Sequence, residues 1–219
     1  MIKENIIKIL HEVPQGVQLV GAAKTRTPEE LKEAIDAGLG ILGENYVQEA
    51  ENAFKVIGRS AKWHLIGHLQ SNKAKRAVAI FDMIETVDSE KLARAIDREC
   101  GKSRKFMEIL IEINSGEEKQ KAGVMPDKAV SLIRKIAVLE NIRVMGLMTM
   151  GTFTEDLEIL RSCFRITRKL FEKIKGLNIQ GIEMKYLSMG MSDSYRIAIK
   201  EGANMVRIGT GIFGPRKYK

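Results

Sequence analysis

One lysine directly follows a wholly apolar run near the start of the chain. Lys24 follows the run Leu19-Val20-Gly21-Ala22-Ala23. The run predicts a buried strand, with the amine of Lys24 just beyond its C-terminal end. Apolar walls disfavour a charged ammonium group and leave the free amine, which is the form that condenses with an aldehyde to a Schiff base. The pattern indicates carbonyl chemistry at Lys24, and a solvated or salt-bridged lysine is the alternative that the same pattern allows.

Two segments near the C-terminal end combine glycines with hydroxyl side chains. They read Ser188-Met189-Gly190-Met191-Ser192 and Arg207-Ile208-Gly209-Thr210-Gly211. The hydroxyls of Ser188 and Thr210 can donate hydrogen bonds, and glycines let backbone N–H groups approach an anion closely. Tight turns without any ligand would use the same glycines. Taken with the lysine, the two segments indicate an aldehyde that carries a phosphate.

Two polar residues interrupt otherwise apolar runs. Arg207 is costly inside a strand unless it has a partner, and that partner could be the ring nitrogen of a cofactor or the carboxylate of Glu44. His64, in Trp63-His64-Leu65-Ile66, is interpreted as a hydrogen-bonded interior residue rather than an acid–base group. The methionines at 145, 148 and 150 are expected to pack in the core.

The elements that must position these residues alternate regularly. Short apolar runs recur about every 20 to 30 residues, with helix-period stretches between them. The runs lie at 18–23, 40–43, 63–66, 83–87, 107–113, 143–148, 184–188 and 205–208. Thr27-Pro28-Glu29-Glu30 marks one helix start, with Thr27 as the cap and Glu30 closing a capping box.

Strict alternation of strands and helices predicts an α/β fold with parallel strands and right-handed crossovers. Eight units in 219 residues favour one closed (β/α)8 TIM barrel, and residues 1–13 read as an extra N-terminal helix. An open doubly wound sheet is the alternative, but it lacks the G-x-G-x-x-G turn after the first run. We assign residues 1–219 to a single domain.

Composition argues against several other classes of protein. The chain has a net charge of +8, but its basic residues are spread out rather than clustered among exposed aromatics as nucleic-acid binding requires. No apolar run reaches the roughly 20 residues that span a bilayer, and Lys3, Glu4 and Lys8 interrupt any secretion signal. Three histidines and two cysteines lack the spacing of a metal site. We expect a cytoplasmic protein without metal, membrane or nucleic-acid partners.

Several long motifs, in order along the chain, carry a family resemblance. The motifs are VGAAKTRTPEE, GENYVQEA, WHLIGHLQSNK, INSGEEKQKAG, RVMGLMTM and LSMGMSDSYRIAIKEGANMVRIGTGIFGPR. They resemble the pyridoxal phosphate homeostasis proteins, a group related to the N-terminal barrel of alanine racemase, and the resemblance covers residues 19 to 216. Ala23 departs from the serine that often precedes the lysine, and Gly151-Thr152 replaces a proline-containing turn.

The resemblance implies a fold type III barrel that binds pyridoxal 5′-phosphate (PLP). The implied contacts are a Schiff base on Lys24, phosphate contacts from Ser188, Gly209 and Thr210, Arg207 at the pyridine nitrogen, and Asn45 and Met189 along the ring. An arginine beside that nitrogen keeps it unprotonated, which weakens PLP as an electron sink.

The implied function is reversible binding of PLP, which buffers the cofactor or delivers it to PLP-dependent apoenzymes, without strong catalysis and hence without catalytic residues. A PLP-dependent amino-acid racemase or decarboxylase is the alternative, with Lys24 as one base and Tyr46 or His64 as the other. The catalytic tyrosine and the β-strand domain that follow the barrel of alanine racemase have no counterpart in this sequence. We therefore expect a monomeric binding protein.

Overall fold

The structure, a computed structural model, describes residues 1–118 and 120–215. Eight parallel strands pair in chain order, and β8 pairs with β1 to close the barrel. The strands are β1 (Gln18–Ala22), β2 (Ile41–Glu44), β3 (Lys62–Leu65), β4 (Met83–Val87), β5 (Met107–Glu112), β6 (Ile142–Thr149), β7 (Ile182–Met189) and β8 (Met205–Ile208). The predicted barrel is confirmed, and each predicted run lies within two residues of its strand at both ends.

Helices surround the barrel, and one precedes its first strand as predicted. They are α1 (Ile2–Glu12), α2 (Pro28–Asp36), α3 (Val47–Ile57), α4 (Ala74–Ile80), α5 (Glu90–Ser103), α6 (Ala129–Ile136), α7 (Leu157–Gly176), α8 (Tyr195–Lys200) and α9 (Thr210–Phe213). The predicted capping box is present, because Thr27 Oγ1 accepts from the N–H of Glu30 and Glu30 Oε2 accepts from the N–H of Thr27. No helix among the described residues has both the length and the apolarity that crossing a bilayer demands.

Two apolar cores follow from the alternation of side chains along each strand. The larger core lies between the strands and the helices and contains Trp63, Leu42 and Phe164. The smaller core fills the barrel itself and consists of Val20, Ile41, Ile66, Met83, Leu110, Met145, Met148 and Met205. Met145 and Met148 therefore pack as expected. Met150 does not, because it follows the last residue of β6 and lies partly exposed at the mouth.

Glycine at position 146 lets β6 pair with β7 despite a shift in register. The pairing jumps between Val144 and Gly146, which face Ile182 and Tyr186 respectively. Gly146 has a φ of +148°, and a Cβ on it would lie 1.8 Å from the carbonyl oxygen of Tyr186. No other residue fits here without moving a neighbouring strand, so this glycine helps to set the length of the two strands that reach the mouth.

We expect Gly146→Ala to destabilise the fold by roughly 2–4 kcal/mol, because the added methyl group would push β7 away from β6. Gly176→Ala is the matched control, since a Cβ at that helix end meets nothing within 4 Å. The control should change stability by about 1 kcal/mol or less, in the stabilising direction. Urea unfolding followed by circular dichroism measures both, and equal effects would contradict the proposed role of Gly146.

Candidate functional site

The carboxyl ends of the strands surround a cavity of about 220 Å³. This end of a parallel barrel is where loops bring ligand-binding groups together. The cavity is lined by Ala22, Asn45, Ile66, Met150, Met191, Ser192, Asp193, Arg207, Gly209 and Thr210. Four of the predicted binding residues, Asn45, Arg207, Gly209 and Thr210, are therefore brought together here. We call this space the mouth cavity.

Lys24 lies at the edge of the mouth cavity rather than in its lining. It follows Ala22 by two residues, and its Nζ is 5.0 Å from the centre of the Tyr46 ring. The next residue, Thr25, has a φ of +66°, a conformation that costs a β-branched residue free energy and that is typical of functional sites. The side chain of Lys24 thus lies against Tyr46, outside the lining of the cavity.

Ser188 and Met189 do not line the mouth cavity. The Ser188 hydroxyl is fully buried inside the barrel, where it donates to Glu85 Oε2 at 2.6 Å and accepts from Arg207. Met189 is the next residue on β7, so its side chain points the other way, into the core between the strands and the helices. The positions of both side chains contradict the contacts with phosphate and ring that were predicted for them.

Ser192 presents the hydroxyl that was expected from Ser188. Its Oγ accepts hydrogen bonds from the backbone N–H groups of Gly209 at 3.3 Å and Gly211 at 3.2 Å. A hydroxyl oxygen that accepts twice still has its own proton to donate, and Ser192 lines the cavity. Ser192 stands in the first of the two glycine-rich segments, but the sequence alone does not show that it, rather than Ser188, lies beyond the end of β7.

A buried network of charged and polar groups lies beneath the cavity. Glu85 on β4 accepts from His64 Nδ1 at 2.8 Å and from Ser188 Oγ, while Arg207 lies 3.8 Å from Glu85 Oε2. Arg207 also donates to the carbonyl oxygen of Thr149 at 2.8 Å. His64 is thus the hydrogen-bonded interior residue that was predicted. The network holds the guanidinium of Arg207 in a fixed position.

Arg207 pairs with Glu85, and the alternative of a salt bridge to Glu44 is wrong. Ile41 points into the barrel, so alternation along β2 directs Glu44 outward, where the charge of Glu49 acts on it. Glu85 itself was missed, although a carboxylate inside the apolar run 83–87 was a signal. Burial alone would raise the pKa of Glu85, but the hydrogen bond from His64 and the charges of His64 and Arg207 hold it below its ordinary value.

Glu44 is a second buried carboxyl group, and it lacks such partners. Its Oε2 has no hydrogen-bond partner among the described residues. Burial, with a smaller contribution from the charge of Glu49, raises the pKa of Glu44 to about 8 against the opposing hydrogen bond from the N–H of Asn45. Glu44 is therefore neutral in the folded protein at neutral pH. No group of His, Cys, Asp and Glu within 1–118 and 120–215 could hold a metal ion.

These features define a (β/α)8-barrel ligand-binding protein whose mouth combines an anion-binding corner, a buried arginine and a nearby lysine. A family model described as the alanine racemase N-terminal domain matches residues 1–217. A pyridoxal phosphate homeostasis protein from Aquifex aeolicus is 37% identical over 219 residues, which span 98% of this chain and 95% of the relative. The chain therefore belongs to the alanine racemase N-terminal domain family, in the branch of the pyridoxal phosphate homeostasis proteins.

Solved structures agree with this assignment. PipY from Synechococcus elongatus, at 30% identity, superposes with a TM-score of 0.93 without PLP and 0.90 with PLP bound, and each match covers 98% of this chain and 100% of PipY. Alanine racemase from Clostridium difficile shares the fold at 16% identity, with a TM-score of 0.83 over 100% of this chain and 56% of the racemase.

We expect Glu44→Gln to stabilise the protein at pH 8. A carboxyl group whose pKa is raised on folding keeps its proton in the native state while the unfolded chain loses it, so stability falls as pH rises from about 4.3 towards 8. The glutamine cannot ionise and still accepts from the N–H of Asn45. The gain over wild type should grow with pH, by at most roughly 1.4 kcal/mol per unit within that window.

Urea unfolding between pH 4 and pH 9 measures this difference. Glu155→Gln is the control, because it removes an exposed carboxylate from a loop at the mouth and should leave the pH dependence of stability unchanged. Parallel curves for wild type and Glu44→Gln would contradict a buried, neutral Glu44.

Proposed function

We propose that this chain binds PLP reversibly in the mouth cavity and buffers or delivers the cofactor, without strong catalysis of its own. When bound, PLP supplies an aldehyde that condenses reversibly with an amine. The proposal is carried by the geometry of the cavity: an anion-binding corner and a buried arginine face one space, with a lysine at its edge. The name of the relative from Aquifex aeolicus and the PLP-bound structure of PipY support the same function.

The anion-binding corner fits a phosphate group. The hydroxyl of Ser192, fixed by two backbone N–H groups, has a proton to donate, and Thr210 offers an exposed hydroxyl beside it. Gly209 borders the same space, and its N–H group holds the Ser192 hydroxyl in place. We assign phosphate binding to Ser192, Gly209 and Thr210.

Arg207 fits the pyridine end of the cofactor. Its guanidinium keeps N–H donors beyond those used by Ser188 and Thr149. A fixed positive charge disfavours a proton on a ring nitrogen beside it, which weakens electron withdrawal by the ring. Ser188 then acts as a positioning residue that holds Arg207, while Asn45 borders the same space.

The two candidates for a second catalytic base are badly placed for racemisation. Such a reaction needs acid–base groups on opposite faces of the cofactor. Tyr46 lies against Lys24, on the same side of the mouth. His64 is held by Glu85 inside the barrel. These positions favour cofactor handling over the racemase or decarboxylase alternative.

The remaining features of the proposal concern the cellular setting. We propose a monomer in which residues 1–219 form one domain, and which acts in the cytoplasm by passing PLP to apoenzymes. The buried thiols of Cys100 and Cys163 are free, which suits a reducing compartment.

Lys24 should carry the cofactor. We expect borohydride treatment of the PLP-loaded protein to fix an adduct on Lys24, located by peptide mapping, and Lys24→Ala to lose the visible absorption band. Lys73→Ala is the control, because Lys73 lies at another part of the mouth, and its band should remain. The cofactor-free Lys24→Ala protein should keep its stability to within about 0.5 kcal/mol. An adduct on another lysine, or none, would refute the assignment.

Alanine substitutions should distinguish the role of Ser192 in phosphate binding from that of Ser188. Ser192→Ala should weaken PLP binding about tenfold or more, because a hydrogen bond to a charged group is worth roughly 1.5–3 kcal/mol, but should leave the affinity for pyridoxal, which lacks the phosphate, unchanged. Ser188→Ala should weaken both ligands to the same extent, since Ser188 acts through Arg207. Fluorescence titrations with the two aldehydes measure these affinities. The reverse pattern would return the phosphate contact to Ser188.

A further inference from the structure

A second cavity, also of about 220 Å³, lies beside the mouth cavity at the ends of β5 and β6. Its lining residues are Glu112, Ile113, Asn114, Ser115, Lys121, Ala122, Thr149, Met150 and Gly151. Met150 borders both cavities, and its sulfur accepts from Arg207 at 3.6 Å. We call this space the β5–β6 cavity. Its walls bring one acidic side chain together with two hydroxyl groups, one amide group and one lysine.

Most polar groups of the β5–β6 cavity already bind one another. Ser115 Oγ and Thr149 Oγ1 share a hydrogen bond of 2.8 Å, and Thr149 also donates to the carbonyl oxygen of Ile113. The side chain of Asn114 is engaged by the backbone of Glu118. These groups close the walls of the cavity, so they provide shape rather than free donors.

Glu112 is the exception. Its side chain points into the barrel from β5, the residue is 7% exposed, and its Oε2 has no hydrogen-bond partner among the described residues. None of the described lysines or arginines lies within salt-bridge distance of it. A buried acceptor of this kind costs free energy until a donor reaches it. The nearest basic side chain on the wall, Lys121, is already paired with Glu118 at 2.6 Å.

We propose that the β5–β6 cavity binds small primary ammonium compounds, and specifically a free α-amino acid whose ammonium group donates to Glu112. An ammonium group brings both the charge and the donors that this carboxyl group lacks. The cavity, with its volume of about 220 Å³, has room for a small amino acid. A ligand that carries an anion but no ammonium group is disfavoured, because the unsatisfied group is itself an acid.

This step rests on the proposed function. If PLP binds in the mouth cavity, an amine in the β5–β6 cavity could take part in its release. An ammonium group cannot condense with an aldehyde until it loses a proton. Glu112 would accept that proton, which yields a neutral amine and a neutral carboxyl group. The amine could then replace Lys24 at the aldehyde carbon of PLP, where a new C=N bond would form as the bond to Lys24 breaks, Lys24 would leave as a free amine, and no water would be released overall. The β5–β6 cavity would thereby let a free amino acid draw the cofactor out of the mouth cavity.

The electrostatic environment of Glu112 suits this exchange. Burial, followed by the charge of Asp88, raises the pKa of Glu112 to about 7, against the opposing charge of Arg207. The carboxyl group is therefore charged above that pH and neutral below it. Binding of an ammonium compound should strengthen as pH rises from 6 to 8, because the charged form is the one that attracts it.

The test uses the full chain without cofactor, so that it does not depend on PLP binding. Methylammonium, glycine and acetate are titrated by NMR at pH 6 and pH 8, on wild type, Glu112→Gln and the surface control Glu155→Gln. Methylammonium and glycine should bind at millimolar concentrations at pH 8, and acetate should not. Glu112→Gln should weaken the two amines about tenfold or more, and the control should match wild type.

Two further measurements keep the test decisive. Ala122→Phe narrows the cavity from its exposed rim and should also weaken glycine without altering Glu112. In PLP-loaded protein, glycine should release the cofactor faster from the control Glu155→Gln than from Glu112→Gln. Equal amine binding by wild type and Glu112→Gln, or tighter binding of acetate, would overturn the site. A failure of PLP to bind at all would refute the proposed function but leave the amine titrations valid.

Discussion

Arg207 brings a positive charge into the interior of the barrel, where an ion without partners would cost several kcal/mol. Glu85 supplies the compensating charge from β4, on the other side of the interior, and Ser188 and Thr149 satisfy guanidinium N–H groups. Because these partners come from different strands, the pair can form only when the barrel is closed in the observed register. The polar layer therefore forms only when the barrel closes, and it lies directly beneath the mouth cavity.

Residues of the same type have different roles in and around this polar layer. Ser188 points inward and supports Arg207, whereas Ser192 lies beyond the strand and reaches the solvent-facing cavity. Glu85 is held charged by donors, whereas Oε2 of Glu112, in the same interior, has no donor among the described residues. In each case the two residues differ in their position along a strand and in their neighbours across the barrel. These two factors determine whether a polar group has a structural role or can bind a ligand.

Periodicity predicted the barrel well, because the alternation of apolar runs is a local property of the chain. The strand limits came within two residues, and four of the seven predicted binding residues line the mouth cavity. Side chains alternate between the two faces of a strand, and β7 continues through Met189. Ser188 therefore points into the barrel and Met189 into the outer core, whereas the resemblance implied that both contact the cofactor. The partner of Arg207 could not be predicted either, since Glu85 meets it only across the closed barrel, whereas Glu44 points outward.

The buried carboxyl groups suggest how a rigid barrel can respond to a small ligand without changing shape. Glu85 is bound on both oxygens, and its pKa is held below the ordinary value, so neither oxygen is free to bind a ligand. Glu112 faces a cavity, and its pKa is raised to about 7, so a ligand that brings a donor can shift its protonation state at little cost. Such a change would alter the electrostatic potential at Arg207, because the charges of Arg207 and Glu112 act on each other. Occupancy of the β5–β6 cavity would thereby alter the field in the mouth cavity while Arg207 stays fixed by Glu85.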